Sequence, residues 1–205
     1  MKKLFAGSLV AAILLTLLSI RYFDQPLALY ILDHLGKRFL FSEAVSNMPD
    51  LLFFTAASVS ALCWLGYFLL RRRGVGREWM KFFSVLGTSL PLAFALKEIL
   101  KWLFGRENTR IWVAHPRPIT FHWFHGNQSF HGFPSGHMLV FTTIFLALWA
   151  FFPRSRALFL SGWIALATAL IVTEYHFLGD VVAGSYLGFL VHAGTLALYR
   201  RTSRP

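Results

Sequence analysis

Apolar residues come in long runs along this chain, each stopped by a short group of basic or turn-forming residues. The runs cover residues 4–20, 51–70, 80–104, 135–152, 157–173 and 180–199. Each approaches the roughly 20 apolar residues that carry a helix through a hydrocarbon core about 30 Å thick. The pattern predicts an all-α, polytopic membrane bundle of about six transmembrane helices. A chain of 205 residues then holds one membrane domain, 1–205, with no length left over for a soluble one. No internal repeat or low-complexity segment interrupts it.

The first run follows Lys2 and Lys3 as a signal peptide would. It leads into Ser19-Ile20-Arg21-Tyr22 with no small-x-small cleavage site, so a retained first span is expected. Residues 22–49 mix apolar and charged positions. Within them, 28–41 can gather its apolar residues on one face, which predicts an interfacial helix outside the membrane with His34 on its polar side. Asp50 is placed to cap the second span.

Composition agrees with the pattern. Hydrophobic residues make up 56% of the chain, aromatic residues 17% and charged residues only 14%, against about 25% charged in soluble domains. The net charge of +11 would suggest nucleic acid for a soluble protein. Here the basic residues sit at the ends of apolar runs: Lys2 and Lys3, Arg71 to Arg73 with Arg77, Arg154 with Arg156, and Arg200, Arg201 and Arg204. That is the positive-inside distribution. The implied partner is therefore a bilayer and not a nucleic acid, both termini are expected in the cytoplasm, and the polar ends of spans three to six share the outer face. Cys63, the single cysteine, lies within an apolar run and permits no intrachain disulfide.

The chemistry-bearing residues converge on that outer face. Lys101 and Arg106 leave the third span, Ser135, Gly136 and His137 open the fourth, and His176 and Asp180 flank the turn between the fifth and sixth. Ionisable groups at membrane depth are costly and are functional candidates for that reason. Phe-Pro-Ser-Gly-His at a helix start offers backbone N–H groups and the positive end of the helix dipole to an anion. Phosphate fits such a site. His176 and Asp180, four residues apart, lie on one face of a helical turn, where the carboxylate can fix the imidazole tautomer. Two histidines can then act as nucleophile and as acid toward the leaving oxygen. Lys101 and Arg106 would supply positive charge to the phosphoryl oxygens, with Lys97, one turn before Lys101, a secondary candidate.

No metal or cofactor is expected. His115, His122, His125 and His131 crowd the outer loop of residues 105–133, but their spacing matches no common zinc pattern and cysteine partners are missing. They read as interfacial or headgroup contacts. His192 reads as a packing residue inside the sixth span.

At these positions the chain resembles the type-2 phosphatidic acid phosphatase (PAP2) family, which includes the vanadium haloperoxidases and bacterial acid phosphatases. The resemblance covers residues 97–184. Pro134-Ser135-Gly136-His137 matches the family's middle motif. His176-x-x-x-Asp180, followed by Val181-Val182-Ala183-Gly184, matches the end of its third. The Ser-Arg positions of that motif hold Ala169 and Leu170, and the Arg-Pro positions of the first motif fall on Asn108 and Thr109. Lys101 and Arg106, in Lys-Trp-Leu-Phe-Gly-Arg, resemble members carrying Phe-Gly-Arg there. A second alignment uses Arg110 and Arg117-Pro118, and either arginine is a candidate to replace the one missing at Leu170.

The resemblance implies a phosphatidic acid phosphatase/haloperoxidase-like helical core. It also implies a phosphohistidine at His176, orientation by Asp180, and His137 as the acid. The implied substrate is a lipid phosphate or pyrophosphate: undecaprenyl pyrophosphate, phosphatidylglycerol phosphate, phosphatidic acid or a lipid A phosphate. The expected location is a bacterial inner membrane with the site on the periplasmic face. A lipid phosphotransferase using the same residues, or a catalytically degenerate lipid carrier or transporter, are the alternative readings.

Overall fold

The computed structural model describes residues 2–35, 48–74, 76–116, 118–125 and 129–202. In chain order the helices are α1 (Lys2–Leu18), α2 (Asp24–Leu35), α3 (Met48–Arg73), α4 (Arg77–Phe104), the short α5 (Thr109–Ala114), α6 (Gly136–Phe151), α7 (Arg156–Val172) and α8 (Leu178–Thr202). Among the described residues, five helical stretches are long and apolar enough to cross a membrane. With α6, 16 residues long, they make six candidate crossings, as the apolar runs predict. This is an integral membrane protein.

One expectation about the N-terminal region fails. Instead of a span ending near residue 20 and a separate interfacial helix, α1 runs through a π-helical turn (Ser19–Phe23) directly into α2, so residues 3–35 form one continuous apolar stretch. Two local features explain this. Pro26 has no N–H to give to the carbonyl four residues back, and a widened turn just upstream absorbs such a break without ending the helix. Asp24, which hydropathy alone would place outside, is 1% exposed because its charge is met inside the protein. Residues 36–41 of the expected interfacial helix lie outside the described residues. Asp50 lies within α3 rather than capping it.

The core lies between α3, α4 and α6, where Ala56, Cys63, Phe82, Leu86, Leu90, Ala93, Leu139, Val140 and Ala147 pack together. α1 and α7 present mostly exposed apolar side chains, as lipid-facing helices do. α6 and α8 approach most closely along a glycine seam. A Cβ at Gly188 would sit 2.5 Å from the Leu139 carbonyl oxygen, and one at Gly184 would run into the Ser135 carbonyl. Small residues permit this backbone contact in a membrane, where close packing and interhelical hydrogen bonds replace the hydrophobic drive. The Thr143 hydroxyl donates across the seam to the Gly188 carbonyl at 3.2 Å. The seam holds the N-terminus of α6 beside that of α8.

α4 ends at Gly105, in the left-handed region (φ 51°), with its N–H donating to the Lys101 carbonyl at 3.0 Å. A side chain there would also run into the His122 carbonyl. This reversal turns Arg106 inward. α2 closes this end of the bundle through Ala28, which packs with Trp112 and Val113 of α5 and Phe177.

Candidate active site

Ser135 caps α6, its Oγ accepting from the Met138 N–H at 3.3 Å. Its own N–H donates to the Asp180 carbonyl at 3.0 Å, so that N–H does not face an anion as the sequence suggested, and the hydroxyl is the donor Ser135 has left to offer. Gly136 is the first residue of the helix, where N–H groups have no intrahelical acceptor. The lysine stems of α4 cross directly over it. A Cβ at Gly136 would lie 2.8 Å from Lys97 Cγ and 3.6 Å from Lys101 Cε. Glycine is thus what lets two cations approach the helix start.

The turn from α7 to α8 is tied to the last turn of α7, with the Glu174 N–H donating to the Ile171 carbonyl at 3.0 Å. The Tyr175 and His176 N–H groups both donate to the Leu170 carbonyl, at 3.0 and 3.1 Å. Leu170 is 2% exposed, so the missing motif arginine has been exchanged for a buried packing residue. His176 is 3% exposed. Its Nδ1 lies 3.0 Å from the Gly132 carbonyl oxygen and 3.7 Å from Asp180 Oδ2. A carbonyl only accepts, so Nδ1 carries the proton and Nε2 holds the lone pair. The nearer orienting partner is therefore a loop carbonyl, with the carboxylate behind it. His176 Nε2 is buried without a hydrogen-bond partner among the described residues. The His137 ring lies 6.0 Å from the His176 ring, centroid to centroid, and Tyr175 packs edge-on against both, at 5.1 and 5.3 Å.

Burial pushes His176 below the ordinary histidine range, against the opposing pull of Asp180, and the nearby charge of Lys101 acts in the same direction as burial. A neutral, tautomer-fixed imidazole is what a nitrogen nucleophile requires.

Arg106 is placed differently from the phosphate-gripping role expected of it. It is fully buried, with Nη1 donating to Asp180 Oδ1 and Nη2 donating to Asp24 Oδ2 at 2.6 Å. Its guanidinium carbon sits 4.6 Å from the Phe177 ring centre. Burial alone would lower its pKa, but Asp180 and Asp24 outweigh it and raise it. With both terminal nitrogens committed to carboxylates, Arg106 lies behind the His176–Asp180 pair. The physical reason is that an arginine this deep needs its charge compensated, which Asp24 and Asp180 do through the two terminal nitrogens while Nε has no hydrogen-bond partner among the described residues.

The other candidate cations divide. Lys101 is half-buried and makes no hydrogen bond or ion pair with a described residue. Lys97 pairs with Glu98 at 2.7 Å and lies over the Phe94 ring at 3.8 Å. Arg110, on the first turn of α5, donates from Nη2 to the Thr173 carbonyl at 3.2 Å and stacks 5.2 Å from the Tyr175 ring centre. Burial lowers its pKa, with Tyr175 and Glu174 opposing. Arg117 lies outside the described residues.

Four participants escape a reading of motifs. Asp24 sits in a stretch where a carboxylate looks interfacial, and Gly132 contributes only its carbonyl. Glu174, 2% exposed and at positive φ (52°), is raised by burial to about 8, with Arg110 opposing. Tyr175 joins Arg110 to the histidines. The Glu-Tyr-His string beside the motif was the available signal for the last two.

The PAP2 superfamily model matches residues 82–204. Two curated relatives are lipid A 1-phosphatases. That of Rhizobium etli is 30% identical over 118 residues, 58% of this chain and 50% of the relative. That of Rhizobium johnstonii is 31% identical over 107 residues, 52% and 41% respectively. The matched regions span about half of those proteins or less. Among solved structures, the transmembrane PAP2-type phosphatidylglycerolphosphate phosphatase of Bacillus subtilis superposes with a TM-score of 0.50 at 16% identity, covering 95% of this chain and 97% of that one. That likeness is one of fold. The family pattern runs through α4, the Ser135–His137 helix start and the His176–Asp180 turn, well over half of the chain, and this protein belongs to the PAP2 superfamily.

Proposed function

We propose that this protein is a membrane phosphatase that removes phosphate from a lipid phosphomonoester or pyrophosphate through a phosphohistidine. The observation that carries the reading is the state of His176. Its Nδ1–H is held by the Gly132 carbonyl at 3.0 Å, and its buried Nε2 has no competing partner among the described residues. In the first step the Nε2 lone pair forms a bond to phosphorus as the bond to the lipid oxygen breaks, and that oxygen takes a proton from His137. In the second, water attacks the phosphohistidine, His137 accepts the water proton, and inorganic phosphate leaves as His176 recovers its lone pair.

The non-bridging oxygens would be held by Lys101 and the Gly136 N–H. This transition state asks mainly for positioned positive charge. Arg110 is the best-placed substitute for the arginine missing at Leu170. It is joined to both histidines through Tyr175, and moving from the Thr173 carbonyl to a phosphate would exchange one acceptor for a stronger one. Lys97, already paired with Glu98, would tune Lys101 by charge.

The lipid A 1-phosphatase relatives favour a saccharolipid 1-phosphate over glycerol-based lipids. We place the site on the periplasmic face of a bacterial inner membrane, in line with basic residues at the opposite helix ends. The test is phosphate release in detergent from lipid A, phosphatidylglycerol phosphate, phosphatidic acid and undecaprenyl pyrophosphate. Wild type should release phosphate from at least one, lipid A first, and His176→Ala from none. Release by His176→Ala at the wild-type rate would rule out this nucleophile. Phosphate appearing on a second lipid instead of in water would identify a transferase.

A further inference from the structure

Asp24 is a carboxylate in the middle of an apolar stretch long enough to span a bilayer, and it is 1% exposed. A charge so placed is costly unless fully partnered. Asp24 Oδ2 accepts from Arg106 Nη2 at 2.6 Å, and Oδ1 accepts from the Gly179 N–H at 2.8 Å. The other terminal nitrogen of Arg106 donates to Asp180 Oδ1. Asp180 Oδ2 accepts from the Phe177 N–H at 3.0 Å and lies 3.7 Å from His176 Nδ1. The connected order is Asp24, Arg106, Asp180, His176.

The charges along this line are two carboxylates and one guanidinium. If Arg106 faced Asp180 alone, the pair would be neutral and the guanidinium would draw the carboxylate from the imidazole. Asp24 takes one of the guanidinium's two hydrogen bonds to carboxylates and leaves one unit of negative charge beside His176. The remaining ionisable groups around His176 are Lys101 from α4, His137 from α6, and Tyr175 and Glu174 in the turn.

We propose that Asp24 is a positioning residue for phosphoryl transfer, acting through Arg106 to set both the orientation and the net charge of Asp180 behind His176. The proposal rests on the reading of His176 as nucleophile. It also accounts for α2. By continuing past the π turn, the first helix delivers a carboxylate to the back of the site, and Gly179 leaves room for it. A Cβ at Gly179 would lie 3.0 Å from Asp24 Oδ2 and 2.8 Å from Ile20 Cγ1.

The sign of the pH effect follows from the chemistry. Attack needs neutral His176, so the rate falls on the acid side as the ring protonates. Removing a negative charge makes the protonated ring less favourable and moves that limb to lower pH, even as poorer orientation lowers the plateau. The experiment measures kcat and KM against pH for wild type, Asp24→Asn and Asp24→Glu on lipid A 1-phosphate in mixed micelles, with thermal unfolding in parallel. For Asp24→Asn, kcat should fall about tenfold to a hundredfold with little change in KM. Its acid limb should move down by roughly half to one pH unit, and Asp24→Glu should restore the wild-type limb.

A folded Asp24→Asn with the wild-type kcat and limb overturns the proposal. So does lost activity with an unmoved limb, which would mark a purely structural role. If Asp24→Asn does not fold, Gly179→Ala decides by crowding the carboxylate without removing it: a limb shifted down supports the proposal and an unshifted one overturns it. A wild-type protein that releases no phosphate from any lipid refutes the phosphatase reading, and this proposal falls with it. A failure confined to the Asp24 variants leaves the phosphatase reading standing.

Discussion

Replacing Gly188 with alanine tests whether the contact between α6 and α8 holds the site together. The new Cβ would sit 2.5 Å from the Leu139 carbonyl oxygen and 2.8 Å from Thr142 Cβ. A carbon–oxygen approach of this kind normally stops near 3.3 Å, so the helices must separate by roughly 0.8 Å at this level. Overpacking of this kind costs about 1–3 kcal/mol, and with two hard contacts the upper part of that range applies. Alanine recovers about 1 kcal/mol of helix propensity over glycine, leaving a net loss of about 2 kcal/mol. In a protein of this size that is a fall of about 4–8 °C in Tm. The same seam carries the Ser135 N–H to the Asp180 carbonyl at 3.0 Å, which couples the helix bearing His137 to the helix bearing Asp180. A spread approaching 1 Å there should lower kcat by about tenfold or more. Gly194→Ala, on the same helix with nothing within 4 Å of its added carbon, is the control. Thermal unfolding and phosphate release in detergent check both quantities. If Gly188→Ala matches Gly194→Ala in Tm and rate, the seam does not position the site.

Arg106→Ala should do more than slow the reaction: it leaves Asp24 and Asp180 buried without a counter-charge, a loss of about 3–5 kcal/mol that thermal unfolding will show before any assay. Arg110→Ala should cost only about 1 kcal/mol of stability, the worth of one hydrogen bond, while raising KM or lowering kcat for lipid phosphate, and an unchanged rate would remove it from the site. Glu174, raised by burial to about 8, holds its proton when folded and releases it near the ordinary range when unfolded. Its contribution to stability is therefore lost as pH rises from about 4.5 through about 8. Glu174→Gln should unfold at a higher temperature than wild type at pH 9 and at the same temperature near pH 4, and parallel Tm curves across that range would refute the assignment. His176, lowered by burial, contributes in the opposite sense: its share of stability is present above the ordinary histidine pKa of about 6.5 and lost as pH falls below it, a dependence absent from His176→Phe.

The helices were largely legible because bilayer crossing is a statement about local hydropathy. Five of the six apolar runs became helices within a few residues of their predicted ends. The exception was the first, where a rule that charged residues leave the membrane met an aspartate whose partner is 82 positions away in the chain. Motif spacing worked in the same way. His176 and Asp180 are brought together by their own turn of chain, and Ser135, Gly136 and His137 by the start of one helix, so spacing was enough to group them.

Arg106 marks where that kind of reasoning stops. Its position five residues after Lys101 says that it leaves the same helix end, but not which way Gly105 turns the chain. Once turned inward, its role depends on the carboxylates that meet it, and neither of them is local. The loss of the motif arginine at Leu170 has the same structure. The sequence shows a vacancy in a pattern, whereas filling it requires knowing that α5 lays Arg110 over Tyr175, whose ring packs against both histidines. A cation that grips substrate must be free to let go of its present partner. Arg110 holds one backbone carbonyl and Arg106 holds two buried carboxylates, so the strength of existing partners, more than proximity to a motif, is what favours Arg110 over Arg106 as the proposed phosphate ligand.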